Sequence, residues 1–170
     1  MAGTFHQAFC LFMVAGLSTS ASAFTQPVQG RSVVQMAPFI DCVTGIGYFQ
    51  SLRDYVDYGC FCGTGGGGSP VDGTDACCKT HDECYGKWID DGTCTSTETY
   101  TIWYDYTLSK CYTEDAEMTC KSADDYEGSY RTSGECRQAM CECDLEIATC
   151  LGQNREDYND DFYNYDQELC

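Results

Sequence analysis

The sequence predicts a mainly α, disulfide-rich domain with two long antiparallel helices, and three observations favour this fold. The chain has 15 cysteines, and the fourteen that follow an apolar leader form an even set, which in a small secreted chain is typical of a disulfide framework. Two cysteine pairs, 77 with 84 and 143 with 150, are each spaced by about two helical turns. Apolar residues recur at helical spacing at Met140, Cys143, Ile147 and Leu151. Metal–thiolate sites are the alternative, but no pair of C-x-x-C knuckles supports them.

Residues 1–23 are predicted to be a signal peptide. Ala8–Leu17 is apolar, and Ala21-Ser22-Ala23 has the A-x-A pattern of a cleavage site. A buried N-terminal helix is the alternative. Phe24–Arg31 ends in a basic residue and is a candidate propeptide, or else a frayed terminus. We therefore expect a secreted, extracellular protein whose domain spans residues 32–170.

The charge is strongly acidic. The formal net charge is −18 at pH 7, and all 27 acidic residues follow Arg31. Such a surface excludes nucleic acid as a partner, disfavours strong adsorption to anionic lipid and attracts cations, although it also serves solubility. No later apolar run approaches the ~20 residues of a membrane span. We therefore expect no transmembrane segment, and we expect a monomer.

The first half of the domain is predicted to contain two helices joined by a loop. Val33–Cys42 has near-helical apolar spacing, but Pro38 lies inside it, so this helix should be bent or begin late. Gly59–Gly73 is a loop by composition. Asp75–Trp88 is a helix, and Gly92–Thr99 is a second loop.

The second half is predicted to contain a small hairpin and a long helix. Leu108–Tyr112 is expected to pair with Met118–Lys121. Lys121–Glu135 has the composition of an exposed insertion, and Cys136–Leu151 is the long helix. The acidic, tyrosine-rich tail ends in Cys170, which should pin it.

The cysteine spacing also suggests how the two long helices face each other. Two antiparallel helices could be stapled as Cys77–Cys150 and Cys84–Cys143. This register places His81 within one turn of Cys84, and Asp144 next to Cys143 on the facing helix. A carboxylate across from a histidine orients the ring and stabilises its protonated form. An ordinary solvated helix acid is the alternative for Asp144.

The most informative stretch is the glycine-rich segment Tyr58–Gly68 followed by Cys77–Tyr85. Backbone carbonyls and one carboxylate suit a hard cation, and a histidine beside that carboxylate can act as a general base. His81 is the single histidine after the leader, and Asp82 follows it. A lone histidine is usually structural, but this setting favours a calcium-assisted hydrolase.

These residues resemble the secreted phospholipase A2 family. Its signature, Y-G-C-x-C-G-x-G-G-x-G-x-P-x-D-x-x-D-x-C-C-x-x-H-D-x-C-Y, matches at every fixed position of Tyr58–Tyr85, and C-x-C-D occurs at Cys141–Asp144. The resemblance covers residues 32–170. It implies the phospholipase A2 fold: an N-terminal helix, a calcium-binding loop, two disulfide-stapled helices and a two-stranded β-wing. It also implies the group I, or pancreatic-like, bridges 42–111, 60–170, 62–78, 77–150, 84–143, 94–136 and 120–141.

The same resemblance implies roles for individual residues on the catalytic side. His81 matches the catalytic base, Asp144 its orienting acid, and Tyr85 a tyrosine that hydrogen-bonds the acid. Tyr106 is the nearest candidate for a second such tyrosine, one residue out of register. The N–H of Gly63 matches a donor to the oxyanion.

On the metal side, the resemblance implies Ca²⁺ as the cofactor. Its ligands would be the main-chain oxygens of Phe61, Gly63 and Gly65 and the carboxylate of Asp82. The family usually has tyrosine where Phe61 stands, which should be harmless because only the backbone oxygen binds.

The implied function is calcium-dependent hydrolysis of the sn-2 ester of glycerophospholipids at phospholipid aggregates or a membrane surface. Val33, Val34 and Leu52 would rim the entrance, or simply form helix core. Two alternatives remain: a catalytically weak or silent toxin subunit or receptor ligand on the same fold, and an acidic calcium-binding matrix protein. The intact His81 and Asp82 favour catalysis.

Overall fold

The computed structural model describes residues 31–63, 65–127 and 133–170, with side chains from Val34 onward. The predicted signal peptide and most of the candidate propeptide lie outside these residues. Over the described ranges the mainly α, disulfide-rich fold is confirmed. The elements are α1 (Arg31–Thr44), α2 (Tyr48–Tyr55), α3 (Gly73–Asp90), α4 (Glu98–Thr101), β1 (Tyr106–Ser109), β2 (Glu117–Cys120) and α5 (Gly134–Gln153). Within those ranges, no helix has both the length and the apolarity needed to cross a membrane.

The long helices α3 and α5 begin with matching caps. Asp72 accepts a hydrogen bond from the N–H of Asp75, and Ser133 accepts one from the N–H of Cys136. Each cap satisfies a helix N–H that would otherwise lack a partner. Glu135 adds an acidic side chain to the first turn of α5, where the helix dipole favours negative charge.

Disulfides hold this helix pair together. Cys77–Cys150 and Cys84–Cys143 join α3 to α5 in the antiparallel register that the cysteine spacing suggested. The other bridges link the periphery to this centre: Cys42–Cys111, Cys60–Cys170, Cys62–Cys78, Cys94–Cys136 and Cys120–Cys141. These are the same seven pairs that the resemblance implies. Each bridge typically contributes about 2–4 kcal/mol of stability.

Helix α1 packs against α5 and completes the core. Phe39 and Ile40 are buried, and a Cβ on Gly152 of α5 would lie 3.0 Å from the side chain of Val43. The helices therefore approach closely at this glycine. The expectation that this helix begins late is wrong, because α1 starts seven residues before Pro38 and continues through it. Burial of the apolar face offsets the hydrogen bond that the proline cannot donate.

The hairpin exists, but its strands lie earlier than predicted. Tyr106 pairs with Cys120 and Ser109 with Glu117, so the first strand begins two residues before the predicted position. The predicted strand fails after Ser109 because Lys110 and Tyr112 have φ values of 52° and 66°. That left-handed conformation belongs to a turn.

Helix α2 is an element that the sequence pattern did not predict. It is held to the turn after α5 by an ion pair in which Arg155 lies 2.9 Å from the buried Asp54. Its stability therefore depends on a residue about 100 positions away, which no local pattern reveals.

Candidate active site

The centre of the candidate site is a histidine–carboxylate pair between α3 and α5. The Nε2 atom of His81 lies 2.7 Å from Oδ1 of Asp144. Asp144 is fully buried, and the His81 side chain is 13% exposed. Because a carboxylate only accepts hydrogen bonds, Nε2 donates and Nδ1 is left as the acceptor. The pair is thus oriented to take up a proton at Nδ1.

Two tyrosines complete the surroundings of Asp144. The hydroxyl of Tyr85 donates to Oδ1 at 2.7 Å, and the hydroxyl of Tyr104 donates to Oδ2. Burial, reinforced by the negative charge of Asp144 and their hydrogen bond, raises the pKa of Tyr104. Tyr104 therefore stays protonated and remains a donor. With His81, these groups give the buried carboxylate three donors, which compensate for its lost hydration.

The choice of Tyr106 as the second tyrosine is wrong, since Tyr104 occupies that position. Tyr106 instead packs edge-on against Phe39, with ring centroids 4.5 Å apart. Tyr104 is placed by Gln35 of α1, whose side chain donates to the carbonyl of Ile102 at 2.9 Å and accepts from the N–H of Tyr104 at 3.1 Å. Residues two apart in an extended segment point to the same side, so alternation could not choose between the tyrosines.

The glycine-rich loop lies beside this pair. Gly63 and Gly65 have φ values of 140° and 75°, in the region that favours glycine. A Cβ on Gly66 would lie 2.6 Å from the ring of Phe61 and 3.2 Å from Oδ2 of Asp82. The loop backbone thus runs directly past the Asp82 carboxylate.

The carboxylate of Asp82 has properties that suit a metal ligand. It makes no hydrogen bond or ion pair with any residue that the structure describes. Partial burial of the carboxylate raises its pKa, although much of the side chain is open to solvent. A bound cation would compensate for this lost hydration, and oxygen donors are the ligands that calcium prefers. The residues present therefore fit a hard cation.

The metal ligands proposed from sequence are mostly main-chain atoms. Across the described residues, no three His, Cys, Asp or Glu side chains converge as a metal site. The loop that carries Phe61, Gly63 and Gly65 lies next to Asp82. His81 and Tyr85 instead contact Asp144 of α5. The roles of these residues, and that of the Gly63 N–H, stay predictions.

Comparison with known proteins finds similarity to one family. The family model for Phospholipase A2 matches residues 33–163. "Phospholipase A2 AP-PLA2-II" of Acanthaster planci is 37% identical over 161 residues, covering 94% of this chain and 98% of that protein. "Acidic phospholipase A2 KBf-grIB" of Bungarus fasciatus is 38% identical over 129 residues, covering 75% and 80%. "Acidic phospholipase A2 homolog textilotoxin D chain" of Pseudonaja textilis is 31% identical over 166 residues, covering 96% and 97%.

Proposed function

Because the chain belongs to the phospholipase A2 family, we propose that it is a calcium-dependent enzyme that hydrolyses the sn-2 ester of glycerophospholipids. The products are a fatty acid and a lysophospholipid. The observation that carries the proposal is the His81–Asp144 pair beside the carboxylate of Asp82, which has no hydrogen-bond or ion-pair partner among the described residues. A silent relative would need neither feature.

In the proposed reaction, His81 acts as a general base. Its Nδ1 takes a proton from water, the resulting hydroxide attacks the ester carbonyl, and the proton then passes to the leaving oxygen of the lysophospholipid. Asp144 stabilises the imidazolium, and Tyr85 and Tyr104 hold Asp144 in place. The N–H of Gly63 is proposed to donate to the oxyanion.

Calcium would be held by the main-chain oxygens of Phe61, Gly63 and Gly65 and by the carboxylate of Asp82. When bound, it supplies Lewis-acid stabilisation of the oxyanion and the substrate phosphate. The chain itself contributes a loop whose glycines leave room for a cation and a carboxylate that such a cation would stabilise.

The proposed substrate is aggregated phospholipid, met peripherally at a membrane surface. The exposed large apolar side chains of the described residues include Val34 (45%), Phe49 (84%) and Trp103 (50%). Of the predicted rim residues, Val34 is thus exposed, Leu52 is half-buried, and the side chain of Val33 lies outside the described residues. A contiguous exposed apolar patch is typical of surfaces that meet membranes or partners, and we propose that these side chains contribute to one.

The finer assignment is also a proposal. The seven bridges match the pairs expected for group I, which supports that group. We propose that the protein is secreted after cleavage following Ala23, and that Phe24–Arg31 is then removed. N-terminal sequencing of the secreted protein would give Ser32 as the first residue if both cleavages occur, and Phe24 if the second does not.

A non-catalytic role is the second candidate function, because the relative from Pseudonaja textilis is named a phospholipase A2 homolog. The test is fatty acid release from phosphatidylcholine vesicles with calcium or with a chelator, for the wild type and for Asp82→Asn. We expect release to fall to background in the chelator and in Asp82→Asn, because the one side-chain ligand is then weakened. Asp90→Asn, an exposed acid on the same helix, is the matched control. Full turnover by a folded Asp82→Asn protein would rule out the calcium mechanism.

A further inference from the structure

The carboxylate of Asp75 connects the two ends of the glycine-rich loop. Asp75 lies in the first turn of α3 and is fully buried. Its Oδ1 accepts the N–H of Phe61 at 2.8 Å, and its Oδ2 accepts the N–H groups of Cys60 and Val71, each at 2.9 Å. One side chain therefore holds the residues that enter the loop and the residue that leaves it.

The backbone is built closely around this carboxylate. Gly59 has a φ of 60°, and a Cβ at this position would collide with the carboxylate of Asp75. In the described ranges, no lysine or arginine forms an ion pair with Asp75. Its charge is compensated by the three N–H groups and by the N-terminal end of α3. The hydrogen bonds of this buried carboxylate to the loop are thus all made with backbone N–H groups.

Between these anchors, the bridge Cys62–Cys78 and a hydrogen bond from the N–H of Gly67 to the carbonyl of Cys60 also hold the segment, but its run of glycines offers few further contacts. Its glycines have no side chains to pack and lose the most conformational freedom on ordering. Phe61 is both a residue anchored at its N–H by Asp75 and a proposed donor of a main-chain ligand oxygen. Asp75 and Asp82 are seven residues apart on α3, about two turns, so the same helix carries the anchor and the proposed side-chain ligand.

We propose that Asp75 is a positioning residue for calcium binding, which presets the loop so that its main-chain oxygens converge with Asp82. This inference rests on the proposed function, since it assumes that the loop binds calcium. Asp75 itself would not contact the cation or the substrate.

The test is isothermal titration calorimetry with calcium chloride on the wild type, Asp75→Asn, Asp90→Asn and Asp82→Asn. An amide at position 75 offers one acceptor oxygen and a donor that faces the loop N–H groups, so the three hydrogen bonds cannot all be kept. We expect the calcium dissociation constant to rise by about ten-fold or more in Asp75→Asn. Asp90→Asn removes one negative charge from an exposed position of the same helix, so its constant should stay within about two-fold of wild type.

A second readout separates positioning from catalysis. In Asp75→Asn, the calcium concentration that gives half-maximal fatty acid release should rise in step with the dissociation constant, while the maximal rate should fall much less. Gly59→Ala provides a second variant, because its Cβ displaces the carboxylate without removing the charge. It too should bind calcium more weakly.

The possible failures are distinguishable. Absence of calcium binding by the wild type would refute the proposed function. Normal calcium binding by the wild type, loss in Asp82→Asn and wild-type affinity in a folded Asp75→Asn would overturn this inference alone. If Asp75→Asn does not fold, Gly59→Ala decides, and wild-type affinity there would overturn it. Failure of both variants to fold, with Asp90→Asn folded, would assign Asp75 a purely structural role and overturn the inference.

Discussion

His81 and Asp82 are neighbours in the chain, yet their side chains have opposite surroundings. His81 is nearly buried and bonded to Asp144, which itself accepts from two tyrosines. Asp82 faces the glycine-rich loop, and its carboxylate has no partner among the described residues. We call the first region, formed by His81, Asp144, Tyr85 and Tyr104, the dyad side. The second, formed by the loop and Asp82, is the loop side.

The comparison shows two ways of preparing a site. On the dyad side the side chains satisfy one another, because α3 and α5 bring together His81, Tyr85 and Asp144, and Tyr104 reaches the same carboxylate from the segment before β1. The loop side is prepared through its backbone and leaves a carboxylate that gains from a bound cation. Substitutions on the two sides should therefore separate proton transfer from metal binding.

The largest expected effect is on the dyad side. His81→Gln removes the proposed base, and we expect fatty acid release at saturating calcium to fall by about 10²–10⁴-fold. The calcium dissociation constant, measured by calorimetry, should change by less than about two-fold, because the loop side is untouched. Thr80→Ala, on the exposed face of the same helix, is the control. Loss of calcium binding together with activity would show that the two sides are not independent.

A smaller effect is expected when the support of the dyad is weakened. Tyr104→Phe removes one of three donors to the buried Asp144, so the free energy of unfolding should fall by about 1–3 kcal/mol. The rate at saturating calcium should fall by about ten-fold, with calcium affinity unchanged. Tyr106→Phe is the matched control, since its hydroxyl has no hydrogen-bond partner in the described part of the chain. Equal losses in the two variants would contradict the assignment of Tyr104.

The smallest effect concerns the tail that supports the loop side. Tyr158 stacks on Tyr58, with ring centroids 5.0 Å apart. Burial, with the charges of Asp54 and Asp160, raises the pKa of Tyr158 to about 12. In the unfolded chain the same tyrosine has a pKa of about 10. Because the folded protein holds the proton more tightly, the free energy of unfolding falls as the pH rises from about 10 to about 12, and this tyrosine has no effect on stability in acid.

Urea unfolding at several pH values between about 8 and 11 would measure this loss, and Tyr158→Phe should lose stability less steeply over the upper part of that range. Identical slopes in the two proteins would show that Tyr158 does not carry the effect.

The dyad side was largely predictable because the cysteine spacing suggested how the two long helices could be stapled, and the family resemblance implied the same pairs. Once Cys84 and Cys143 are paired, His81 and Asp144 must lie close together. Tyr104 could not be found in this way, because its position depends on Gln35, nearly 70 residues earlier. Helix α2 was missed for a similar reason, since it is held by Arg155 from the far end of the fold.

The loop side was predictable in composition but not in its support. The glycine pattern indicated where the backbone must turn and where side chains would not fit. It did not reveal that Asp75 bonds both ends of the loop, because an acidic residue in a first helical turn has an ordinary explanation as a favourable partner of the helix dipole. These hydrogen bonds span 15, 14 and 4 residues of mostly irregular chain and leave no periodic signal.

The bridge between Cys60 and Cys170 has a consequence for biogenesis. It spans 110 residues and fastens the start of the glycine-rich loop, whereas Cys62–Cys78 spans only 16. A chain emerges from the ribosome N-terminus first, so in the secretion that we propose residue 170 enters an oxidising compartment after the loop does. On the proposed function, the covalent closure of the loop is therefore among the last events of maturation.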